Sequence, residues 1–366
     1  MIFRRREPDD TVEADGASVA ARYWHALGDG RVQCDLCPRF CRLREGQRGM
    51  CFVRGCRDGR IVLTTYGRCS GLAVDPIEKK PLHHFLPGTQ VLSFGTAGCN
   101  LACKFCQNWH MSHSRQMRTV SEIAPPEKIA DAAVNTDCHS VAFTYNDPVI
   151  FMEYAIDTAR HCHERGIRTV AVTAGYICPE PRAEFFAHLD AANIDLKAFT
   201  DDFYRRNCAA RLDPVLDTLR YVYHETDTWL ELTTLLIPGE NDSDDEIDAM
   251  TRWVVRELGP EVPMHFTAFH PAGRMLDTPP TPLQTLRRAR NIALRNGVHH
   301  AYTGNVRDRE GANTYCPTCG ELLIQRTGYT IGQDNLTPDA HCPACGTKCP
   351  GVFAPSPAPG KGRGPE

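Results

Sequence analysis

GTAGCNLACKFCQNW, residues 95–109, decides how this chain is read. It sets Cys99, Cys103 and Cys106 within eight residues, straight after the apolar run Val91-Leu92-Ser93-Phe94. Three thiolates this close suit a soft metal centre, because thiolate selects iron–sulfur clusters, zinc and Cu(I). A four-iron cluster takes four thiolates, and this loop supplies three. An iron without a protein ligand can bind something from solution, much as a catalytic zinc keeps one position open. The competing reading is a zinc knuckle completed by His110 or His113, or three reduced thiols.

Outward from this loop, residues 82–308 alternate short apolar runs with amphipathic stretches, the βαβ pattern of a parallel sheet. Strands are expected at 91–95, 140–145, 168–173, 193–197, 229–237 and 264–269, with a further short strand at 299–302. Helices are expected between them, the clearest at 148–165, where Gly166 stands ready to end it. Six strand–helix units fall short of the eight that close a barrel. The expected fold is therefore α/β, an open, partial (β/α)6 barrel. Ligands of parallel β/α sheets bind at the carboxyl ends of the strands. The cysteine loop, Tyr145-Asn146-Asp147-Pro148, Thr173-Ala174-Gly175-Tyr176, Asp195-Leu196-Lys197, Pro238-Gly239 and His270-Pro271 all fall at those ends. That shared rim points to an enzyme.

Cysteine-rich segments flank the barrel. Residues 26–80 hold Cys34, Cys37, Cys41 and Cys51, with turn-forming Pro38, Gly46 and Gly49 among them. So small a segment has little core of its own, so a metal is expected, either zinc or a second iron–sulfur cluster. Residues 312–354 carry two C-P-x-C-G knuckles, Cys316/Cys319 and Cys342/Cys345, around a hairpin-like stretch. Two such knuckles supply a tetrahedral set of four thiolates, a zinc ribbon, with rubredoxin-like iron the chief competing metal. Cys349 lies outside that pattern. Residues 1–25 and 355–366 are polar or Pro/Gly-rich and are expected to be disordered.

At 366 residues, 42% apolar and 23% charged, the composition is ordinary for a globular protein. The net charge of −4 argues against a nucleic-acid partner. No run long enough for a membrane span exists, and no signal peptide is evident, so the cytoplasm is expected. Clustered thiols among the 18 cysteines then read as metal ligands rather than disulfides.

The C-x3-C-x2-C spacing with Phe105 before the last cysteine resembles the signature of the radical S-adenosylmethionine (radical SAM) superfamily. The order of parts over roughly residues 30–354 resembles the AmmeMemoRadiSam-system radical SAM proteins, near the pyruvate formate-lyase activating enzymes. The resemblance implies a [4Fe–4S] cluster on Cys99, Cys103 and Cys106, whose open iron takes SAM and whose electron releases a 5′-deoxyadenosyl radical. Thr144, Asn146 and Asp147 match the segment that holds the SAM amino group, although Tyr-Asn-Asp departs from the usual Gly-Gly-Glu. Asp195 and Lys197 match an Asp-x-Lys motif that serves the ribose and the methionine carboxylate. A plain ion pair is the alternative there. Thr173 and His270 complete the expected SAM contacts, though His270 alone is more often a satisfied structural histidine and only its place on the rim lifts it. Glu153 and Glu231 are further candidates for the pocket, while Cys138, Cys162, Cys178 and Cys208 read as isolated buried thiols.

The resemblance also implies a low-potential electron donor of the flavodoxin or ferredoxin type. The radical would abstract hydrogen from a substrate that the sequence does not identify or, for a glycyl-radical-activating enzyme, from a partner protein. A non-catalytic, zinc-stapled binding module is the competing class, and an electron-transfer protein with two clusters is a third.

Overall fold

The computed structural model describes residues 18–113 and 122–353. The expected disorder at 1–17 and 355–366 lies outside the described residues. Residues 18–25 depart from the expectation. β1 (Val19–Ala20) and the start of β2 (Trp24–Ala26) occupy them, because Val19 pairs with Leu63 and Trp24 with Cys34. With β3 (Val32–Cys34), β4 (Arg42–Leu43), β5 (Arg54–Arg57) and β6 (Arg60–Leu63) they form two antiparallel sheets, β2–β3–β4 and β1–β6–β5.

The main sheet contains β7 (Arg68–Pro76), β8 (Gln90–Gly95), β9 (Glu122–Ile123), β10 (Ser140–Phe143), β11 (Arg168–Thr173), β12 (Ala191–Asp195), β13 (Trp229–Leu236), β14 (Met264–Ala268) and β15 (Ala301–Gly304). Its order is β15–β14–β13–β12–β11–β10–β8–β7–β9. β8 and β10 to β15 run parallel, an open partial barrel with β15 as the additional short strand. β7 pairs antiparallel with β8, so the sheet begins inside the stretch read as the cysteine-rich module. Parallel strands crossed over by helices are covered on both faces and become unbroken apolar runs. Every residue of β10 and β14 is accordingly buried.

The helices start where the sequence signals them. Proline sits in the first turn of helices Pro126–Asn135, Pro179–Phe186 and Asp213–Glu225, where a missing N–H costs nothing. Helix Asp244–Leu258 opens with the Ser243 hydroxyl accepting from Glu246 N and with acidic residues facing its positive end. Phe94 of β8 packs against Phe143, Phe151 and Tyr154 at centroid distances of 5.6, 6.2 and 5.3 Å, seating helix Met152–His163 on the sheet.

Two candidate pocket carboxylates turn out to be fastenings. Glu153 lies 4 % exposed, paired through both oxygens to the Arg54 guanidinium at 2.9 Å and accepting from Arg22 N at 2.7 Å. It docks the N-terminal module on the barrel. Glu231, fully buried, accepts from His83 N, His84 N, Trp229 Nε1 and His265 Nε2. Four bonds fill the four acceptor sites of a carboxylate, so nothing is left for a ligand.

The C-terminal module, β16 (Thr314–Tyr315), β17 (Leu322–Thr327) and β18 (Thr330–Asp334), forms a separate sheet that meets β15 where Tyr302 Oη and Thr314 Oγ1 bond at 2.8 Å. Arg326, 1 % exposed, donates to His83 O at 2.8 Å and Thr314 Oγ1 at 2.7 Å. His84, His300 and Cys349 also converge there. His84 is already committed, with Nδ1 to Pro350 O and Nε2 to Tyr302 Oη, both at 2.6 Å. No described helix is long and apolar enough to cross a membrane.

Removing one partner of a buried ion pair strands the other charge. Glu153→Leu should therefore cost about 3–5 kcal/mol of stability in a denaturant titration. Arg54→Met added to it should recover much of that loss. A loss below about 1 kcal/mol would place the pair in the surface class.

Candidate functional site

The cysteine loop leaves β8 through two close approaches. A Cβ on Gly95 would lie 2.4 Å from Thr144 O and 2.5 Å from Asn146 Oδ1. Gly98 has φ +83°, and a Cβ there would lie 2.0 Å from Cys51 O. Only glycine fits both positions. Farther along, Ala102 N donates to Cys208 O and Lys104 N to Asn207 O, fixing the loop against the chain after β12. Cys99, Cys103 and Cys106 emerge half-buried.

The carboxyl end of β10 carries the second wall. Tyr145 has φ +72°, and Asn146 N donates to Thr144 O at 3.0 Å, a strained γ-turn held by its surroundings. Asn146 Nδ2 donates to Gly98 O at 2.8 Å while its Oδ1 accepts from Thr96 N, tying this turn to the cysteine loop. Asp147 caps the segment Pro148–Phe151 by accepting from Val149 N. It also accepts from Thr173 Oγ1 and Ala174 N, both at 3.0 Å, linking β10 to β11. Burial pushes its carboxyl up against these hydrogen bonds, which hold it down.

At the end of β12, Lys197 Nζ pairs with Asp195 Oδ2 at 2.7 Å. Burial opposes the Lys197 charge, yet Asp195 and the nearby Cys103 and Cys208 hold the ammonium well above its ordinary value. A hydrogen bond with Cys208, followed by burial, pushes the Cys103 thiol up. Cys208 is thus not isolated. Burial likewise raises Cys99 and Cys106, the latter opposed by the Ser112 hydroxyl at 3.1 Å.

These three strand ends enclose one cavity of about 390 Å³. Its walls include Cys99, Cys103, Cys106, Thr144, Asn146, Asp147, Thr173, Asp195 and Lys197. His270 is not among them; it is exposed, with Nε2 3.4 Å from Asn305 O. Further contributors, Lys80 and Tyr329 among them, went unseen in the sequence. Lys80, 3 % exposed, lies 5.0 Å from the Tyr145 ring and pairs with Asp75 at 2.8 Å. Burial pushes the Asp75 carboxyl up, but Lys79 and Lys80 outweigh it and hold the group at about 2. Tyr329, at the turn between β17 and β18, reaches the cavity from the far end of the chain. With Lys79, Pro81, Thr267 and Asn305 it also borders an adjoining cavity of about 820 Å³. Tertiary packing alone brings these residues in. Asp147 did carry a local signal, since Asp followed by Pro marks an N-cap.

The ribbon cysteines are drawn together, with Cys316 and Cys345 sulfurs 3.5 Å apart and those of Cys319 and Cys342 3.6 Å apart. Four thiolates about 2.3 Å from a tetrahedral metal sit roughly 3.8 Å from one another, so this set could hold one ion.

The radical SAM superfamily matches residues 94–251. An uncharacterised protein of Methanocaldococcus jannaschii is 41% identical over 329 residues, covering 90% of this chain and 98% of that protein. The pyruvate formate-lyase-activating enzyme of Clostridium pasteurianum is 29% identical over 122 residues, 32% of this chain and 50% of that one. Among solved structures, a radical SAM methyltransferase from Sphaerobacter thermophilus is 16% identical, covering 84% of this chain and 81% of that one at a TM-score of 0.47.

Asp147→Asn turns one acceptor into a donor facing donors. It should lower stability by about 1–3 kcal/mol, the cost of an unpaired buried polar group. Thermal or denaturant unfolding reads the loss, and an unchanged midpoint would contradict the three-bond assignment.

Proposed function

The chain belongs to the radical SAM superfamily and is an S-adenosylmethionine-dependent enzyme; we propose that it cleaves SAM reductively at a [4Fe–4S] cluster held by Cys99, Cys103 and Cys106, giving a 5′-deoxyadenosyl radical that abstracts hydrogen from its substrate. One observation carries this reading. The three-cysteine loop, the strained Thr144–Asp147 turn and the Asp195–Lys197 pair face one cavity at the carboxyl ends of parallel strands.

The donor set fits such a cluster. Three thiols border the cavity and Cys208 does not, so the fourth position is left to a ligand from solution. When bound, the cluster supplies the electron that breaks the sulfonium bond, and its open iron holds the methionine amino and carboxylate groups. The chain's own residues bind and orient. The Lys197 ammonium is a point charge for a carboxylate, and the Asp195 carboxylate can accept from both hydroxyls of a ribose. In the free chain the two neutralise each other, so neither charge stands bare in a half-closed site. Thr173, Asn146 and Asp147 spend their polar atoms on the scaffold and act as positioning residues.

The adjoining cavity is the place for the substrate, and the activating-enzyme relatives support a second reading in which a partner protein presents it. A flavodoxin- or ferredoxin-type donor would supply the electron. Zinc is the metal proposed for the ribbon, whose sulfur spacing suits it, and the cytoplasm is the proposed location. A purely structural, zinc-stapled binding module leaves the loaded cavity without a use.

The test is anaerobic. The reconstituted, dithionite-reduced chain should form 5′-deoxyadenosine from SAM, and Cys103→Ala should abolish it. Deoxyadenosine that survives Cys103→Ala would sink the assignment. Lys197→Met should raise the KM for SAM by about tenfold or more, the ~1.4 kcal/mol or more that a charge-assisted contact contributes. Removing the ribbon metal with a chelator should loosen the 312–353 module, read as faster proteolysis there, before the barrel unfolds.

A further inference from the structure

The cavity of about 820 Å³ beside the cysteine site is walled by four cations, Lys79, Arg307, Arg309 and Arg326, against two carboxylates, Glu78 and Asp308. We infer that it binds a small substrate through an anionic group, a carboxylate or a phosphate, with Lys79 leaving Asp75 to hold that group where the two cavities join. This names a substrate class for the cysteine site as read above, and it rests on that reading for the chemistry that follows binding.

The positive charge on these walls is not spent inside the chain. Asp308 is claimed from outside the cavity by Arg287, through Nε at 3.2 Å and Nη2 at 2.8 Å, and by the Thr303 hydroxyl. Glu78 is buried, gives one oxygen to Gly88 N, and burial pushes its carboxyl up. Arg307 and Arg309 are exposed and make no ion pair among the described residues. Arg326 donates to His83 O, Thr314 Oγ1 and Ala312 O, all neutral acceptors, and its Nε has no partner. A guanidinium only 1 % exposed with no carboxylate against it is costly. An anion in the cavity lowers that cost. Burial holds His83, on the same wall, well below its usual range, so its neutral ring does not alter the balance.

Lys79 is the group free to move. Asp75 takes two ammonium groups, Lys79 Nζ at 2.7 Å and Lys80 Nζ at 2.8 Å. Lys80 is buried and borders only the cysteine cavity, whereas Lys79 is 48 % exposed and borders both. When Lys79 withdraws, Lys80 still neutralises the buried carboxylate, so the exchange strands no charge. An ion pair with a half-exposed partner is weak, and a substrate anion competes with it. Thr267 and Asn305 border the same join and add neutral polar atoms there. The glycine of a partner protein carries no charge to meet these groups, so the walls favour a small anion.

Isothermal titration calorimetry of the reconstituted, unreduced full chain tests this with two probes, pyrophosphate and succinate. SAM is present at saturation so that Lys197 is occupied. At about 0.15 M salt the Debye length is about 8 Å, which screens loose surface attraction. Saturable binding of about one anion per chain is expected, tighter for pyrophosphate if the substrate is a phosphate and for succinate if it is a carboxylate. Lys79→Met should weaken it about tenfold or more, and Arg307→Gln/Arg309→Gln severalfold. Asp75→Asn removes the competitor and should tighten it severalfold. Failure of both probes to saturate, or an equal affinity in Lys79→Met, overturns the anion site. Weakening by Lys197→Met in place of Lys79→Met puts the anion in the cysteine cavity and overturns it too. Unchanged binding in Asp75→Asn overturns the exchange. Deoxyadenosine formation is read separately. Its absence from a chain that binds the anion through Lys79 sinks the function proposed above and leaves this site standing.

Discussion

A charge taken out of water must find a full set of partners, and the Arg54–Glu153 pair shows what that constraint does here. Desolvating both groups costs several kcal/mol each, repaid only by good geometry and further hydrogen bonds. Glu153 meets the condition with two bonds to the guanidinium and one from Arg22 N. Arg54 meets it in part, giving Nη2 to Arg22 O as well and leaving Nε open. The pair joins β5 of the cysteine-rich module to the helix that follows β10. It thereby sets the height at which Cys51 meets the cysteine loop.

The same accounting recurs at both ends of the barrel. Glu231 at the amino ends of β13 and β14 gathers two backbone donors, an indole and an imidazole, and closes that end against ligands. Asp147 at the carboxyl end takes three donors and binds two strand ends into one wall. A site held this way needs no rearrangement of its frame to bind. The strain at Tyr145 persists because Asn146 and Asp147 pin the turn from both sides. Flexibility is then left to groups that exchange partners, above all the Asp195–Lys197 pair.

The cysteines divide by spacing rather than by motif. In sequence Cys34–Cys51 and Cys99–Cys106 are short runs with two- to nine-residue gaps, and the ribbon set is two C-x2-C pairs. In space the ribbon set closes on a point, while the other two stand around a volume. The difference comes from what lies behind each set. The ribbon knuckles sit on tight turns at the surface, whereas the other sets are braced by the barrel, through Asn207 and Cys208 on one side and Gly98 on the other.

Local signals determined much of this protein. Apolar runs, proline-led helices and the C-x3-C-x2-C loop made the parallel barrel and its loaded rim legible, because period and turn chemistry are properties of neighbouring residues. The ribbon knuckles were legible for the same reason. What the chain order could not carry was decided by packing across long separations. Glu153 and Glu231 look like pocket acids until Arg54 and His265 arrive beside them. His270 sits at a strand end yet stays outside the cavity, while Lys80, Cys208 and Tyr329 enter its surroundings from elements the motifs did not mark. Val19–Ala20 and Trp24–Ala26 become strand only because β6 and β3 offer them partners. A side chain's chemistry is written in the sequence, but its solvent and its partners belong to the fold, and those set whether a charge is spent on structure or kept for a ligand.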